Sequence, residues 1–126
     1  MSLARTQLPV LFVEDDPSLR ETFATMLQRL GIEIEITDSF ASARTYLEQH
    51  EIAGLITDNQ LGDGKGSDLA ELALQRNPNI WVGIVSGSDP ELPQSLEDRV
   101  TILYKPFSLD ELRTFLKDFP RRARPA

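Results

Sequence analysis

Glu14, Asp15, Asp58, Ser86 and Lys105 are the residues of this 126-residue chain whose types and positions could carry chemistry. Carboxylate oxygens bind hard divalent cations and can act as nucleophiles, and a lysine ammonium can hold negative charge. Each of the five falls where a short apolar run gives out. Asp58 closes Gly54-Leu55-Ile56-Thr57 and precedes a loop holding Gly62, Gly64 and Gly66. Glu14, Asp15 and Asp16 follow the run from Leu8 to Val13, and Ser86 follows Ile80 to Val85. Lys105 and Pro106 come after Val100 to Leu103 and Tyr104. Taken singly, each has an ordinary explanation. Asp58 can cap a turn, Glu14 and Asp15 sit favourably near a helix N-terminus, and Lys105 can pair with an acid. All of them arriving at the ends of apolar runs asks for a common cause.

The elements that must position them follow from periodicity. Short apolar runs bounded by turn residues fit strands buried on both faces, and Gly54 to Thr57 reads as the central one. The glycines after Asp58 predict a tight turn. Ile32 to Thr37 alternates, IEIEIT, and predicts a more exposed strand near a sheet edge. Between the strands lie helical patterns. Asp16 is a candidate N-cap with Pro17 at the first helical position, Leu19, Phe23, Met26, Leu27 and Leu30 form the inward stripe, and Gly31 ends the helix. Ser39 predicts the cap of a second helix to about His50, and Ser67 the cap of a third to about Arg76. Pro93 restricts a fourth helix, and Ser108 with Glu111 forms a capping-box pair for a fifth. Five strands alternating with five helices imply a parallel α/β sheet covered on both faces, with right-handed crossovers. In such a sheet the carboxyl ends of the strands share one rim, where sites are built.

Composition narrows the classes. The length suits one domain, and 40% hydrophobic with 26% charged residues is ordinary for a globular protein. Cysteine is absent and His50 is the single histidine, which excludes thiolate chemistry and disfavours a histidine metal site or relay. A net charge of −7 argues against nucleic-acid binding by the domain itself. No apolar run approaches a membrane span, and MSLARTQLP lacks a signal-peptide core, so a cytoplasmic location is expected. The organisation expected is an N-terminal extension over 1–7, one domain over 8–119 and a basic tail over 120–126 with Arg121, Arg122 and Arg124. The three glycines of the loop miss the dinucleotide fingerprint and are not followed by a P-loop lysine.

Together VLFVEDDPSLR, LITDNQLGDGKG, GIVSGS and LYKPFSLDEL make the chain resemble, from Val10 to about Phe119, the receiver domains of two-component response regulators. The resemblance implies a flavodoxin-like (βα)5 fold with a five-stranded parallel sheet of order 2-1-3-4-5. It implies that Asp58 accepts a phosphoryl group, with Lys105 and Ser86 contacting the phosphate. It implies Mg²⁺ as cofactor, held by Glu14, Asp15, Asp58 and the backbone carbonyl of Gln60. A cis peptide is implied before Pro106. The partners implied are a sensor histidine kinase or phosphotransfer protein and a downstream protein, with no membrane and no direct nucleic-acid contact. The chain is then a switch and not an enzyme. Other readings are a phosphorelay or hybrid-kinase receiver, a degenerate module that is not phosphorylated, and a small α/β hydrolase. The last has no histidine placed as a general base in the loop after Asp58.

The sequence also departs from the family pattern. Gly62 stands where receivers usually have proline, which predicts a looser loop. Ile102 stands where an aromatic usually swings inward, and Tyr104 lies beside Lys105 instead. The interval from Ser86 to Lys105 is short and carries Pro90 and Pro93, so the fourth helix is expected to be short or irregular. The face built from that helix, the fifth strand and the last helix is the family's common dimer surface, and a symmetric dimer there is not expected. The resemblance implies that Gln60 and Ser88 occupy the positions flanking the approach of water to the phosphate.

Overall fold

The structure is a computed structural model that describes residues 8–119. The expected N-terminal extension and basic tail lie outside the described residues. In chain order the elements are β1 (Val10–Val13), α1 (Pro17–Arg29), β2 (Ile34–Thr37), α2 (Phe40–Gln49), β3 (Gly54–Asp58), β4 (Gln60–Leu61), β5 (Gly64–Lys65), α3 (Gly66–Arg76), β6 (Trp81–Ser86), β7 (Thr101–Tyr104) and α4 (Leu109–Phe115). A single 3-10 turn, Gln94–Leu96, precedes β7. The main sheet has five parallel strands in the order β2-β1-β3-β6-β7. Without the small β4–β5 hairpin this is the order 2-1-3-4-5, so the flavodoxin-like fold stands.

Side chains alternate across a strand, and that alternation builds two cores. Leu11, Val13, Leu55, Val82 and Ile84 face α2 and α3 and pack with Ala43, Leu47, Leu69, Ala70 and Ala73. Val10, Phe12, Ile56, Val85 and Leu103 face α1 and α4 and pack with Phe23, Leu27, Leu112 and Phe115. Every residue of β1, β3 and β6 is buried, as unbroken apolar runs require of central strands. β2 is an edge strand with no buried residue, as expected, although Ile36, which the alternation would turn inward, is exposed along with Glu35.

The fourth helix, expected to be short or irregular, is a 3-10 turn and not an α-helix among the described residues. Pro90 and Pro93 cannot donate helical N–H bonds, and only the 3-10 turn forms, plugging Leu96 into the α2–α3 core. Two other expectations need correction. Ser67 does not cap α3. That helix begins at Gly66 after Lys65, which makes no capping bond, and the Ser67 N–H donates to Asn59 Oδ1 at 3.3 Å. The loop after Asp58 turns tightly, as expected, but is not the looser loop that Gly62 predicted. Its chain folds into the antiparallel β4–β5 hairpin, and Gly31 alone has a positive φ among the described residues.

The capping assignments at Asp16, Ser39 and Ser108 are as the sequence indicated. Asp16 Oδ1 accepts from the N–H groups of Ser18 and Leu19, Ser39 Oγ from Ser42, and Ser108 with Glu111 closes a reciprocal capping box. Asp16 holds the first turn of α1 directly behind Glu14 and Asp15, so the strand-to-helix turn carrying those acids has a fixed backbone.

Candidate functional site

Parallel strands with helical crossovers place β1, β3, β6 and β7 with their carboxyl ends on one rim. Asp58 is the last residue of β3, paired with Val85 of β6, and is buried at 7% exposure. Its Oδ2 lies 3.3 Å from Lys105 Nζ, and its Oδ1 accepts from the Gln60 N–H at 3.4 Å. Lys105 follows β7 and reaches across β6. Its backbone N–H donates to the Ser86 carbonyl at 2.8 Å, and the peptide to Pro106 is cis.

Glu14 follows β1 and is 1% exposed. Its Oε1 lies 3.5 Å from Lys105 Nζ, and its Oε2 accepts from the Asp16 N–H at 3.1 Å. The Arg20 guanidinium donates to the Glu14 backbone carbonyl at 3.0 Å, tying α1 to the same turn. Burial is the main reason that the Glu14 carboxyl is pushed above its ordinary range. The nearby charges of Asp58 and Asp15 push it the same way, while the Asp16 N–H and Lys105 pull it down. Asp15 is exposed, and its Oδ2 accepts from the Gly62 N–H at 3.0 Å.

Glu14, Asp15 and Asp58 can each bring one carboxylate oxygen within 4.8 Å of the others. Three carboxylates face one ammonium here, so the cluster carries excess negative charge. Its donors are hard oxygens, and two of the acids are buried. Such a set suits a small hard dication and offers nothing to a soft metal.

Sequence reasoning placed Glu14, Asp15, Asp58 and Lys105, and the structure brings all of them together. Ser86 sits at the same rim, the final residue of β6, but its hydroxyl is turned to its own loop. Ser86 Oγ donates to the Ser88 carbonyl at 2.5 Å and accepts from the Ser88 N–H at 3.3 Å. His50 ends α2 at the opposite end of the fold, stacked on Tyr46 with ring centroids 4.2 Å apart.

Three supporting contacts escaped the sequence reading. The Asp63 carboxylate accepts from the N–H groups of Phe40 and Ala41, at 2.8 and 3.0 Å, and so caps α2 from the hairpin. Asn59 receives the first turn of α3. Tyr104 O–H donates to Asp89 Oδ1 at 2.6 Å, which joins the end of β7 to the loop after Ser86. That contact raises the Tyr104 phenol above its ordinary range. The partners of the Asp63 cap and of the Tyr104 bond lie 22 or 23 and 15 residues apart in sequence, beyond any local pattern.

The sequence and the fold have relatives among known proteins. A model of the response regulator receiver domain matches residues 10–117. The response regulator protein PilR of Pseudomonas aeruginosa is 30% identical over 118 residues, which cover 91% of this chain and 26% of PilR. The chain therefore spans about a quarter of that relative's length. A response regulator receiver domain protein of Bacillus halodurans superposes with a TM-score of 0.76 at 25% identity, covering 96% of this chain and all of its own. The receiver domain of a sensor histidine kinase from Pseudomonas aeruginosa, solved with a magnesium ion coordinated in its active-site cleft, shares the fold at a TM-score of 0.73 and 18% identity, over 90% and 98% of the two chains.

Proposed function

The chain belongs to the response regulator receiver domain family, and from that premise we propose that it is a phosphoryl-accepting switch modified on Asp58. One observation carries the reading. Asp58, alone at the end of the central strand, shares Lys105 with a buried second acid and lies within ligand reach of a third. A degenerate module has no reason to keep two buried carboxylates on one lysine at a rim.

In this reading an Asp58 carboxylate oxygen forms the new O–P bond. The bond from phosphorus to a donor imidazole nitrogen or acyl oxygen breaks, and the electron pair leaves with that donor. Lys105 holds the negative charge that develops beside Asp58. Glu14, Asp15, Asp58 and the Gln60 carbonyl would hold Mg²⁺, which when bound would supply charge neutralisation on the phosphoryl oxygens. Ser86 then exchanges its bond to Ser88 for one to a phosphoryl oxygen. The modification replaces the single charge of the Asp58 carboxylate with an acyl phosphate of about −1.5 to −2, a net gain of up to about one negative charge at the rim, and output passes through a partner that reads the altered loops. The donor is a histidine kinase or phosphotransfer protein, the location cytoplasmic, and the role that of a switch and not a turnover enzyme.

Incubation with acetyl phosphate and Mg²⁺, followed by intact mass measurement, tests this. One added phosphoryl mass is expected, absent without Mg²⁺ and absent in Asp58→Asn. No added mass in the parent protein, or the same added mass in Asp58→Asn, overturns the assignment.

A further inference from the structure

Gly62 poses a question that its neighbours do not. Gly64 and Gly66 are glycines for want of space: an added Cβ at Gly64 would stand 2.7 Å from the Phe40 ring, and one at Gly66 would run into the Asp58 carbonyl. At Gly62 an added Cβ meets only Asp15 Oδ2, at an ordinary 3.6 Å, and its φ is not positive. Neither space nor backbone conformation calls for glycine there. What the position does supply is an N–H, donated to Asp15 Oδ2 at 3.0 Å.

That N–H is held in place from several sides. Gly62 and Asp63 form the two-residue turn between β4 and β5, whose pairing sets Leu61 opposite Gly64. Asp63 is anchored to the first amides of α2, and Leu61 is buried. Closing the hairpin, the Gly66 N–H donates to the Asn59 carbonyl at 2.9 Å. On the other side, Asp15 sits between β1 and a helix whose N-cap is made by its neighbour Asp16. Both ends of an otherwise exposed hydrogen bond are therefore fixed before it forms, which lowers the entropy lost in making it.

We propose that the Gly62 N–H is a positioning group for cation capture, fixing the exposed Asp15 carboxylate toward Glu14 and Asp58. The inference rests on the Mg²⁺ reading above. Asp15 is the one acid of the cluster open to solvent, and a partner that orients a ligand carboxylate contributes to affinity without touching the ion. A residue lacking the N–H cannot do this. Proline also sets a ring carbon where the hydrogen lies, which drives Asp15 away.

The test compares Gly62→Ala, which keeps the N–H, with Gly62→Pro, which removes it, and reads Mg²⁺ binding to the unphosphorylated protein by calorimetry. The expected result is alanine within about two-fold of the parent and proline weaker by about ten-fold. Equal affinity in the two variants, or tighter binding by the proline variant, overturns the proposal. Amide hydrogen exchange in the metal-free parent protein gives a readout that needs no folded proline variant. The Gly62 amide is expected to be protected, with protection lost in Asp15→Ala. An unprotected Gly62 amide overturns the proposal independently. Absence of Mg²⁺ binding by the parent protein overturns the underlying site reading as well, and is thereby told apart from a failure of Gly62 alone.

Discussion

Glu14→Gln should make the protein more stable at neutral pH while weakening its hold on magnesium. The Glu14 carboxylate is 1% exposed and lies 3.5 Å from Lys105. At an effective dielectric near 20, that attraction is about 5 kcal/mol before screening. Two other carboxylates can place an oxygen within 4.8 Å of it. Each repels it by about 3.5 kcal/mol on the same scale, less for exposed Asp15. Attraction and repulsion thus cancel to within about 2 kcal/mol. The Asp16 N–H offsets part of what remains, and the cost of burying the charge decides the sign. Glutamine keeps an acceptor for that N–H and sheds the buried charge, so a gain of about 1 kcal/mol, or roughly 5 °C in Tm, is expected at pH ~7. The pH dependence follows from the raised carboxyl. Above the ordinary glutamate value of 4.5 the unfolded chain releases its proton while the folded protein still holds one. The folded state then binds more protons, and stability falls as pH rises through that window. The advantage of glutamine should be full at neutral pH and vanish below the ordinary value. Thermal unfolding followed by circular dichroism and by Trp81 fluorescence, at about pH 4 and pH 7, measures both. Millimolar Mg²⁺ should raise the Tm of the parent protein more than that of the variant, since binding to the native state adds stability by mass action. A Glu14→Gln variant that melts below the parent at neutral pH, or a Tm difference identical at both pH values, would refute the reasoning.

Other consequences are as direct. Gly66→Ala should destabilise by about 3 kcal/mol in denaturant unfolding, because its Cβ meets backbone at Asp58 and Asn59, whereas Gly87→Ala, with open space around it, should stay within about 0.5 kcal/mol of the parent. Asp63→Ala should lower Tm at neutral pH by removing the α2 cap. The Asp63 carboxyl is held below its ordinary value of 3.8 by the Phe40 and Ala41 amides, so this contribution is present above that value and is lost as pH falls through the depressed one. In Asp89→Ala the Tyr104 phenol should ionise at lower pH than in the parent, read by tyrosinate absorbance with Tyr104→Phe assigning the band. With beryllofluoride and Mg²⁺ bound, sedimentation should find no symmetric dimer through the 3-10 turn, β7 and α4, since the α-helix that would complete that face is replaced by one turn.

What the sequence made legible and what it hid divide along physical lines. Strands β1, β3 and β6 were readable because a strand buried on both faces needs an unbroken apolar run, and the first polar residue after each run marks the rim. Glu14, Asp58 and Ser86 could be placed by that rule alone, and Lys105 by its position just after β7. The caps at Asp16, Ser39 and Ser108 were readable because donor and acceptor lie two or three residues apart. The loop after Asp58 was misread because its bonds are not local. Asp63 spends its carboxylate on α2, Asn59 meets the start of α3 in place of Ser67, and Gly62 answers Asp15 from 47 residues away. Glycine content there signals close packing against Phe40 and the Asp58 carbonyl, not freedom of φ. A glycine in the place of proline reads in sequence as lost stiffness, yet here the exchange adds a donor aimed at an acid of the site. Stiffness comes instead from the hairpin and from Asp63. Composition shows that a turn must exist; only the pairing of the turn with β1 and α2 shows which side chains it commits.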